Sequence, residues 1–393
     1  MTKLDEFIQE LCPDGVKYLP IPELFITRNG YTPSKANNEF WENGTIPWFR
    51  MEDIRENGRI LTTATQYVSE KAVKGKLFPA DSIIIAASAT IGEHALIKVP
   101  SLANQRFTYL TLKDEFKDCV DMMFVFYYCF RLDEYCKSHL NQGNFASVDM
   151  KQFAAFKFPV PPLPVQCEIV RILDNFTELT AELTAELTAR KQQYAYYRDK
   201  LLTFGDVRGG ATSDVVWKTL AEIADISTGS SNTDDAVKGG CYPFFVRSQQ
   251  LLAKDEYEYD EEAIITAGDG VGVGNVFHYI NGKYALHQRA YRIHPATDGL
   301  LGKYLYHYFV ATFPKYIGQQ MYQGSVPSIR RPMLNKFQVA IPSLDVQSRI
   351  VNVLDNFDAI CTDLSSGLPA EIEARQKQYE YYRDKLLSFE EKI

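Results

Sequence analysis

The sequence predicts an α/β (or α+β) fold with two similar globular domains. Two long helical regions join them and pack as an antiparallel, coiled-coil-like pair, giving approximate two-fold symmetry. Three observations predict this arrangement: a long internal repeat, β-like runs followed by a helical pattern in each half, and a proline-marked connector and helical tract at the end of each half. The predicted boundaries are 1–158 and 208–340 for the globular domains, and 159–207 and 341–393 for the helical regions.

The internal repeat is strongest in the last part of each half. Gln166 and Leu173–Phe176 return 181 residues later as Gln347 and Leu354–Phe357, and the offset then changes to 185. A duplicated unit of this size predicts a molecule with approximate two-fold symmetry. The other matched positions are Gln142-Gly143 with Gln323-Gly324, Ser147 with Ser328, Pro161 with Pro342 and, at the larger offset, Arg190–Leu202 with Arg375–Leu387.

A weaker match extends the repeat toward the start of each half. Val16–Leu24 and Gly30 align with Val215–Ile223 and Gly229. Asn104-Gln105-Arg106 likewise aligns with His287-Gln288-Arg289, whereas the residues between these anchors differ freely. Two similar frames with different insertions indicate two readers of two different targets, held at a fixed separation.

Each half has the same predicted order of elements. Ser82–Ala87 and Phe107–Leu112 are β-like runs bounded by Gly, Asn and Pro turns, and 121–140 has the pattern of a largely buried helix. In the second half, Ala263–Thr266 is the strand candidate and 300–317 the helix. Each half is therefore predicted to be a mixed domain of common size.

The connectors Pro159–Pro164 and Ile341–Ser343 precede two tracts whose apolar residues recur at helical spacing. Such spacing puts them on one stripe, and two stripes in one chain bury each other most simply. A break at Ser366–Pro369 predicts that a helix restarts at Pro369. The stripes are Phe176, Leu179, Leu183, Leu187, Tyr194, Tyr197 and Leu201 in the first tract, and Phe357, Cys361, Leu364, Leu368, Ile372, Tyr379, Tyr382 and Leu386 in the second.

The first tract contains a short tandem repeat, Thr180–Leu183 and then Thr184–Leu187, both reading TAEL. Four residues lengthen a helix by about 6 Å and turn it about 40° beyond one full turn. Such a repeat could set the spacing between two DNA readers. The same letters are also ordinary helix-forming sequence, so both interpretations stand.

Composition bounds the class of protein. The 393 residues, 46% of them hydrophobic, can support two packed domains, and no apolar run of membrane-spanning length or signal-peptide pattern occurs, which predicts a cytoplasmic protein. A formal net charge of -8 counts against nucleic-acid binding, yet 299–344 contains five lysines and arginines and no acidic residue. The seven scattered cysteines are predicted to be reduced and mostly buried.

Motifs for chemistry are missing from the sequence. There is no GxxxxGK[ST] nucleotide loop, no HExxH metal motif, and no Asp/Asn-Pro-Pro-aromatic motif of amino-methyltransferases. Gly268–Gly274 is glycine-rich but lacks GxGxxG spacing, so it is predicted to be a turn. The chain is therefore predicted to be non-catalytic, with no metal and no cofactor of its own.

These features resemble the specificity subunit of type I restriction-modification enzymes over essentially the whole chain. The repeated Tyr-Tyr-Arg-Asp-Lys-Leu-Leu at 196–202 and 381–387 carries the resemblance, together with Gly30–Ser34, Ile46–Ile54 and Asn104-Gln105. The TAEL units are similar to the central spacer of one subgroup of that family.

The resemblance implies a division of labour. Each globular domain would be a target recognition domain that reads one half of a bipartite, asymmetric sequence in double-stranded DNA. The helical regions would fix the unread spacer and bind two modification subunits, which bring S-adenosylmethionine and the adenine methyltransferase site. Motor-nuclease restriction subunits would complete the complex, and this chain would catalyse nothing by itself.

Candidate DNA contacts are side chains that can pair with base edges or phosphates. In the first domain they are Thr32, Ser34, Lys35, Arg50, Ser88, Thr90, Asn104, Gln105, Arg106 and Ser147. In the second they are Ser230, Ser231, Asn232, Thr233, Arg247, Asp269, His287, Gln288, Arg289, Ser328, Arg330 and Arg331. The candidates for subunit docking are Tyr196, Tyr197, Arg198, Tyr381, Tyr382 and Arg383.

Two alternatives remain open from the sequence. A helical scaffold with two ligand-binding domains and no DNA role explains the duplication and the negative charge equally well, but gives no role to the acid-free stretch 299–344. A recognition arm fused to its own nuclease or methylase would require catalytic motifs, which are not found. Gln105 and Gln288 recur in both halves, which favours a framework or phosphate role over base discrimination.

Overall fold

The computed structural model of the chain describes residues 3–88, 90–141, 146–204, 215–319, 327–363 and 366–392. It divides into an N-terminal unit, Met1–Ala181 with Ala374–Ile393, and a C-terminal unit, Glu182–Glu373. The matched dipeptides Gln142-Gly143 and Gln323-Gly324, and the predicted stripe residue Leu364, lie outside the described residues.

The N-terminal unit begins with a helix and then alternates short strands and helices. Its elements are α1 Lys3–Leu11, β1 Lys17–Pro20, α2 Ile21–Leu24, β2 Phe25–Asn29, β3 Ile46–Phe49, α3 Met51–Asn57, β4 Ile60–Leu61, β5 Tyr67–Val68, β6 Ser82–Ala86, β7 His94–Ile97, β8 Leu102–Ala103, β9 Phe107–Leu112, α4 Met122–Ser138, α5 Met150–Ala155 and β10 Lys157–Val160. Its main sheet has the strand order β2-β9-β6-β7-β4, and smaller sheets pair β1 with β10 and β5 with β3 and β8.

Strand β6 lies in the middle of this sheet because its side chains are apolar on both faces. Ile83 and Ile85 pack into the core that includes α4, whereas Ile84 and Ala86 point to the opposite face and pack into a second core. Alternate residues of a strand point to opposite faces, so a run of isoleucines fits a strand that is covered on both sides. The predicted strands at Ser82–Ala87 and Phe107–Leu112 and the predicted helix at 121–140 are confirmed.

The C-terminal unit repeats this order: β11 Val216–Thr219, α7 Leu220–Ile223, β12 Ala224–Thr228, β13 Tyr242–Phe245, β14 Leu252–Lys254, β15 Tyr259–Ala267, β16 Phe277–Leu286, β17 Ala290–Pro295, α8 Gly302–Gly318, α9 Arg331–Asn335 and β18 Gln338–Ile341. Its sheet has the order β12-β17-β15-β16-β13-β14, and β11 pairs with β18. The single strand β16 pairs with β15 and then, through its last residues, with β13. In the N-terminal unit two separate strands make the corresponding pairings: β7 pairs with β6, and β8 pairs with β3.

The helical tracts form α6 Leu163–Leu202, α10 Leu344–Thr362 and α11 Leu368–Leu386. The predicted interruption is confirmed, and α11 begins one residue before Pro369. In the C-terminal unit, α6 and α10 lie side by side: Phe357 packs against Tyr194 and Tyr197, with ring centroids 6.1 and 5.9 Å apart. In the N-terminal unit, Phe176 of α6 stacks on Tyr382 of α11 at 5.6 Å.

Gln166 and Gln347 recur because each makes the same structural contacts in its unit. The Nε2 of Gln166 donates to the carbonyls of Cys119 and Pro161, and its Oε1 accepts from the N–H of Asp121. Gln347 repeats the three bonds with the corresponding backbone groups at the start of α8 and at Pro342. Each glutamine lies near the start of α6 or α10 and therefore ties that helix and its connector to the backbone just before α4 or α8 of the same unit.

Candidate nucleic-acid interface

In the N-terminal unit, several predicted DNA contacts meet where strands β2, β6 and β9 begin or end. The Oδ1 of Asn104 accepts from the N–H of Arg106 at 2.9 Å. The carbonyl of Arg106 in turn accepts from the N–H of Ala87 at 2.8 Å, and Ser88 forms a β-bridge with Ser147. These bonds bring residues from three separate parts of the sequence onto one edge of the unit.

The C-terminal unit builds the same frame from different side chains. The Nδ1 of His287 accepts from the N–H of Arg289 at 3.0 Å, as Asn104 does for Arg106. The carbonyl of Arg289 accepts from the N–H of Gly268 at 2.8 Å, and Asp269 forms a β-bridge with Ser328. The recurrence of a serine at 147 and 328 thus coincides with a backbone pairing that both units share.

The recurring glutamines tie two loops together in each unit. The hydroxyl of Thr32 donates to the Oε1 of Gln105, and the Nε2 of Gln288 donates to the Oδ1 of Asn232. Thr32 and Asn232 lie in the loops that follow Gly30 and Gly229, after β2 and β12. The two glutamines lie just before β9 and β17, so each pair links these two loops of its unit. A framework role is in accord with these contacts.

The remaining predicted residues of the N-terminal unit lie around this edge. Arg50 comes directly after β3, whose last carbonyl accepts from the N–H of Asn104, and its Nη2 donates to Thr65 at 3.1 Å. Ser34 and Lys35 are exposed in the loop after β2, and the Ser34 carbonyl accepts from an indole N–H. The Thr90 hydroxyl is buried and has no hydrogen-bond partner among the described residues.

In the C-terminal unit, two guanidinium groups converge on one carboxylate. The Nη1 of Arg247 lies 2.7 Å from the Oδ1 of Asp269, and the Nη1 of Arg289 lies 3.3 Å from its Oδ2. Adjoining shallow depressions surround this cluster. Among the predicted residues, their walls contain Asn232, Thr233, Arg247, Asp269, His287, Gln288, Arg289, Ser328 and Arg330.

Three predicted residues of this unit stand apart from the depressions. Ser231 is buried, and its hydroxyl contacts the carboxylate of Glu258 and the Nζ of Lys254. The backbone N–H of Ser230 donates to the same carboxylate at 3.0 Å. Arg331 is exposed at the start of α9. The hydrogen bond of Arg292 is the main cause that lowers the pKa of Asp225, and the charge of Arg331 adds to it. The buried hydroxyl of Ser231 is therefore engaged in contacts within the unit and is not exposed to contact DNA.

The electrostatics of the depressions are balanced. Burial raises the pKa of Asp269, but the hydrogen bond and charge of Arg247 and the charge of Arg289 outweigh this, so its pKa lies below the usual value. Burial and the same two arginines lower the pKa of His287, which keeps its ring neutral at pH 7. Asp234 and Asp235 also line this surface. They were not among the residues predicted from sequence, although they stand directly after the predicted Asn232-Thr233 pair.

The predicted docking residues differ in how much of each side chain is exposed and in what it contacts. Tyr196 and Tyr381 are 60% and 63% exposed. Tyr197 and Tyr382 instead stack on a phenylalanine of the neighbouring helix within their own units. Arg198 and Arg383 each hold the next residue, an aspartate, at 2.9 Å. Tyr196 and Tyr381 are thus the most exposed tyrosines of the set, whereas Tyr197 and Tyr382 are 37% exposed each.

Two lysines of the acid-free stretch 299–344 form ion pairs with aspartates of the helical tracts. Lys303 lies 2.7 Å from Asp355 of α10, and Lys315 lies 3.5 Å from Asp199 of α6. Arg330 remains at the depressions. The helical tracts thus neutralise part of this stretch within the same unit.

Cys12, Cys129, Cys136 and Cys361 are buried, and Cys119, Cys167 and Cys241 are exposed. Within the described ranges, no helix has the length and apolar character needed to cross a membrane. The same part of the chain contains no cluster of three or more His, Cys, Asp or Glu side chains that could hold a metal ion.

Comparison with known proteins gives one consistent result. Residues 13–190 and 212–374 match the family described as type I restriction modification DNA specificity domain. The chain is 42% identical to the EcoprrI type I restriction enzyme specificity subunit of Escherichia coli, over 90% of each chain. It is 34% identical to the EcoR124I/EcoR124II specificity subunit of the same organism, over 64% of this chain and 68% of the relative.

Solved structures share the fold at low sequence identity. The S subunit of a type I restriction-modification system from M. genitalium superimposes with a TM-score of 0.55 at 14% identity, covering 95% of each chain. A chain from a study of assembly and conformational transition in a type I system gives 0.64 at 15% identity, covering 96% of this chain and 98% of that one. On the sequence match over both halves, this chain belongs to the type I restriction-modification DNA specificity family.

Proposed function

We propose that this chain gives a type I restriction-modification complex its DNA sequence specificity, with each unit reading one half of a bipartite, asymmetric site. One observation carries the proposal: the two units share a hydrogen-bonded frame at equivalent positions but present different side chains from it. Asn104 and Ser88 in one unit correspond to His287 and Asp269 in the other, whereas Arg106 and Arg289 are arginines in both. Different polar side chains on one frame suit two different base sequences.

The chain is a specificity subunit and is not the catalytic subunit of its complex. Its named relatives are specificity subunits of type I restriction enzymes, so the scaffold alternative without a DNA role is not supported. The relatives' names place the chain in an assembly with other subunits. We propose that these partners are two modification subunits, which carry S-adenosylmethionine, and motor-nuclease restriction subunits, and that the complex acts on double-stranded DNA in the cytoplasm.

The proposed division of the chain keeps the target recognition domains at 1–158 and 208–340 and the helical regions at 159–207 and 341–393. Tyr196 and Tyr381 are the favoured docking residues because both remain exposed on the long helices. Replacing both by alanine should weaken co-purification with the modification subunit. Replacing the stacked Tyr197 should instead lower the stability of the C-terminal unit, which contains its partner Phe357.

The test is to express the chain with its modification subunit in a host free of adenine methylation and to map N6-methyladenine by long-read sequencing. A single gapped motif methylated on both strands is the expected result, and it defines both half-sites at once. A soluble, co-purifying complex that methylates no motif would contradict the specificity role.

We further propose that the TAEL units place this chain in the spacer-repeat subgroup and act as a length ruler. Thr180–Leu187 lie within α6, with the three glutamates Glu178, Glu182 and Glu186 exposed and the leucines half-buried. Removing Thr184–Leu187 would shorten this helix by about 6 Å and rotate its C-terminal part by about 40°.

The deletion should change the unread spacer of the methylated motif and leave both half-sites unchanged. A matched control replaces Glu182 and Glu186 by glutamine, which alters charge at constant length and should keep the original spacer. A changed half-site in the deletion variant would contradict the ruler.

A further inference from the structure

The C-terminal unit holds two arginines on a single aspartate, and the chain supplies nothing comparable at the equivalent position of the N-terminal unit. Arg247 and Arg289 each use Nη1 to contact a different oxygen of Asp269. Both guanidinium groups keep further N–H donors, and the side chains of Arg247 and Arg289 are 39% and 60% exposed. The carboxylate thus fixes the orientation of two partly exposed donor groups.

The charge around this cluster does not suit a phosphate. The depressions are lined by Arg247, Arg289 and Arg330 and by Asp234, Asp235 and Asp269, so their formal charges cancel. His287 is neutral because its pKa is lowered. Phosphate binding relies on a local excess of positive charge, whereas a base edge is neutral and asks only for matched donors and acceptors.

Among base edges, guanine is the one that matches an oriented guanidinium. Its O6 and N7 are both acceptors in the major groove, and the fork of an arginine pairs with them through two parallel N–H bonds. Adenine places a donor beside N7, so one arginine donor would face another donor. An arginine held in place by a carboxylate loses less side-chain freedom on binding, which sharpens this preference.

We propose that the half-site read by the C-terminal unit contains a guanine recognised by Arg289, and that Asp269 is the positioning residue that makes this recognition selective. This inference rests on the proposed function. Arg247 shares the carboxylate and completes the positioning by neutralising it.

The N-terminal unit provides the internal comparison. Ser88 takes the position of Asp269, since Ala87 and Gly268 make the same backbone bond to Arg106 and Arg289. Arg106 is exposed, and a serine hydroxyl at position 88 cannot neutralise or lock a guanidinium as a carboxylate does. Among the described residues, the two arginines held on one carboxylate occur at this frame in the C-terminal unit and not in the N-terminal one, so their loss should affect one half-site.

The experiment uses the full chain in complex with its modification subunit, after its methylated motif has been mapped. Asp269→Asn, Arg289→Ala and Arg106→Ala variants are expressed in the same way, and their motifs are mapped again. Binding is then measured on duplexes in which each guanine of the motif is replaced in turn by 7-deazaguanine, which lacks the N7 acceptor.

In one half-site, a single 7-deazaguanine should weaken binding of the original complex on the order of 10-fold, and should have no further effect on the Arg289→Ala complex. Asp269→Asn should relax the requirement for that guanine while the other half-site stays strict. Arg106→Ala should leave this guanine's discrimination unchanged.

Three results would overturn the inference. One is a motif in which no guanine is sensitive to Arg289. Another is an Arg289→Ala complex whose affinity is lowered to the same extent for all DNA sequences and depends less on salt concentration. That result would indicate a phosphate contact. The third is an Asp269→Asn complex that loses both half-sites together, which would mark a general structural role. If the original complex methylates no motif at all, the proposed function fails first and separately.

Discussion

At the scale of single residues, two glycines let backbone segments approach more closely than any side chain allows. A Cβ on Gly229 would lie 1.9 Å from the carbonyl oxygen of Leu286, and one on Gly30 would lie 2.3 Å from that of Asn104. Both glycines come directly after the first strand of the main sheet of their unit, near the residues that were predicted to contact DNA. This requirement explains why the repeat keeps a glycine where the surrounding sequence has diverged.

Gly229→Ala should destabilise the C-terminal unit because the backbone must move to admit the new methyl group. We expect a loss in the free energy of unfolding of about 1–3 kcal/mol or more, measured by chemical denaturation. Gly299→Ala is the matched control, since a Cβ there meets nothing within 4 Å. Equal stability of the two variants would show that the loop after β12 moves to accommodate the methyl group without a loss in stability.

Arg292 is the buried cation of the C-terminal unit. Its guanidinium contacts the carboxylates of Glu261 and Asp225 at 2.5 and 2.6 Å, and its side chain is only 7% exposed. Burial raises the pKa of Glu261, but the hydrogen bonds of Arg292 and Tyr284 and the charge of Arg292 outweigh this and lower the pKa overall. Removing the cation leaves a largely buried carboxylate without its partner.

Arg292→Leu should therefore lower the free energy of unfolding at pH 7 by about 3–5 kcal/mol. The stabilisation from a carboxylate with a lowered folded-state pKa is fully present above its unfolded-state pKa, roughly 4.3, and is lost as the pH falls through the folded-state pKa. Unfolding measured from about pH 6 down to pH 3 should show a smaller acid-induced loss in the variant than in the original chain.

The control for this prediction is Arg349→Leu, which removes an exposed pair with Asp345 on α10. An exposed pair of this kind contributes about 0–1 kcal/mol. A similar effect of both substitutions would contradict the importance of burial at Arg292.

At the scale of elements, the strong helical patterns and the isoleucine-rich strand were predictable because local sequence decides them. Apolar spacing defined the long helices, and Gly367 and Pro369, on either side of Leu368, marked the start of α11. Helix α1 at Lys3–Leu11 was not predicted from sequence, although Leu4, Phe7 and Ile8 have helical spacing. All three pack into the core of the N-terminal unit, Leu4 as the buried residue of the helix.

The pairing of α6 with α10 depends on Phe357, which contacts Tyr194 and Tyr197. Phe357→Ala should lower the stability of the C-terminal unit by about 2 kcal/mol, since the half-buried ring is worth less than a fully buried one. Ile360→Ala on the same helix is the control, because that side chain is 41% exposed and should cost about 0.5 kcal/mol. Urea denaturation followed by circular dichroism compares the two, and equal losses would contradict the pairing.

At the scale of the whole molecule, the N-terminal unit is built from both ends of the chain. The guanidinium of Arg131 on α4 contacts the carbonyl of Asp384 and the hydroxyl of Ser388, each at 2.6 Å. Lys157 lies 2.7 Å from Glu391, and the backbone of Val16 bonds to residues 390 and 392. A transplanted N-terminal domain must therefore fit this C-terminal segment.

Exchanging residues 1–158, together with 374–393, for those of a relative should change one half of the methylated motif and leave the other half and the spacer unchanged. The control exchanges 374–393 alone and should retain both original half-sites. N6-methyladenine mapping gives the readout for both. A chimera whose motif changes in both halves would contradict independent reading by the two units.

The sequence by itself determined the duplication, the mixed fold, the two long helices and the family, because each depends on local periodicity or on matched residues along the chain. Only the tertiary structure decided which polar residues share a surface. Arg247, Asp269 and Arg289 come from separate loops, and the pairing of β13, β15, β16 and β17 is what brings them together. It also decided that Ser231 is buried and that Lys303 and Lys315 are paired with aspartates, because burial and ion pairing arise from contacts between distant parts of the chain.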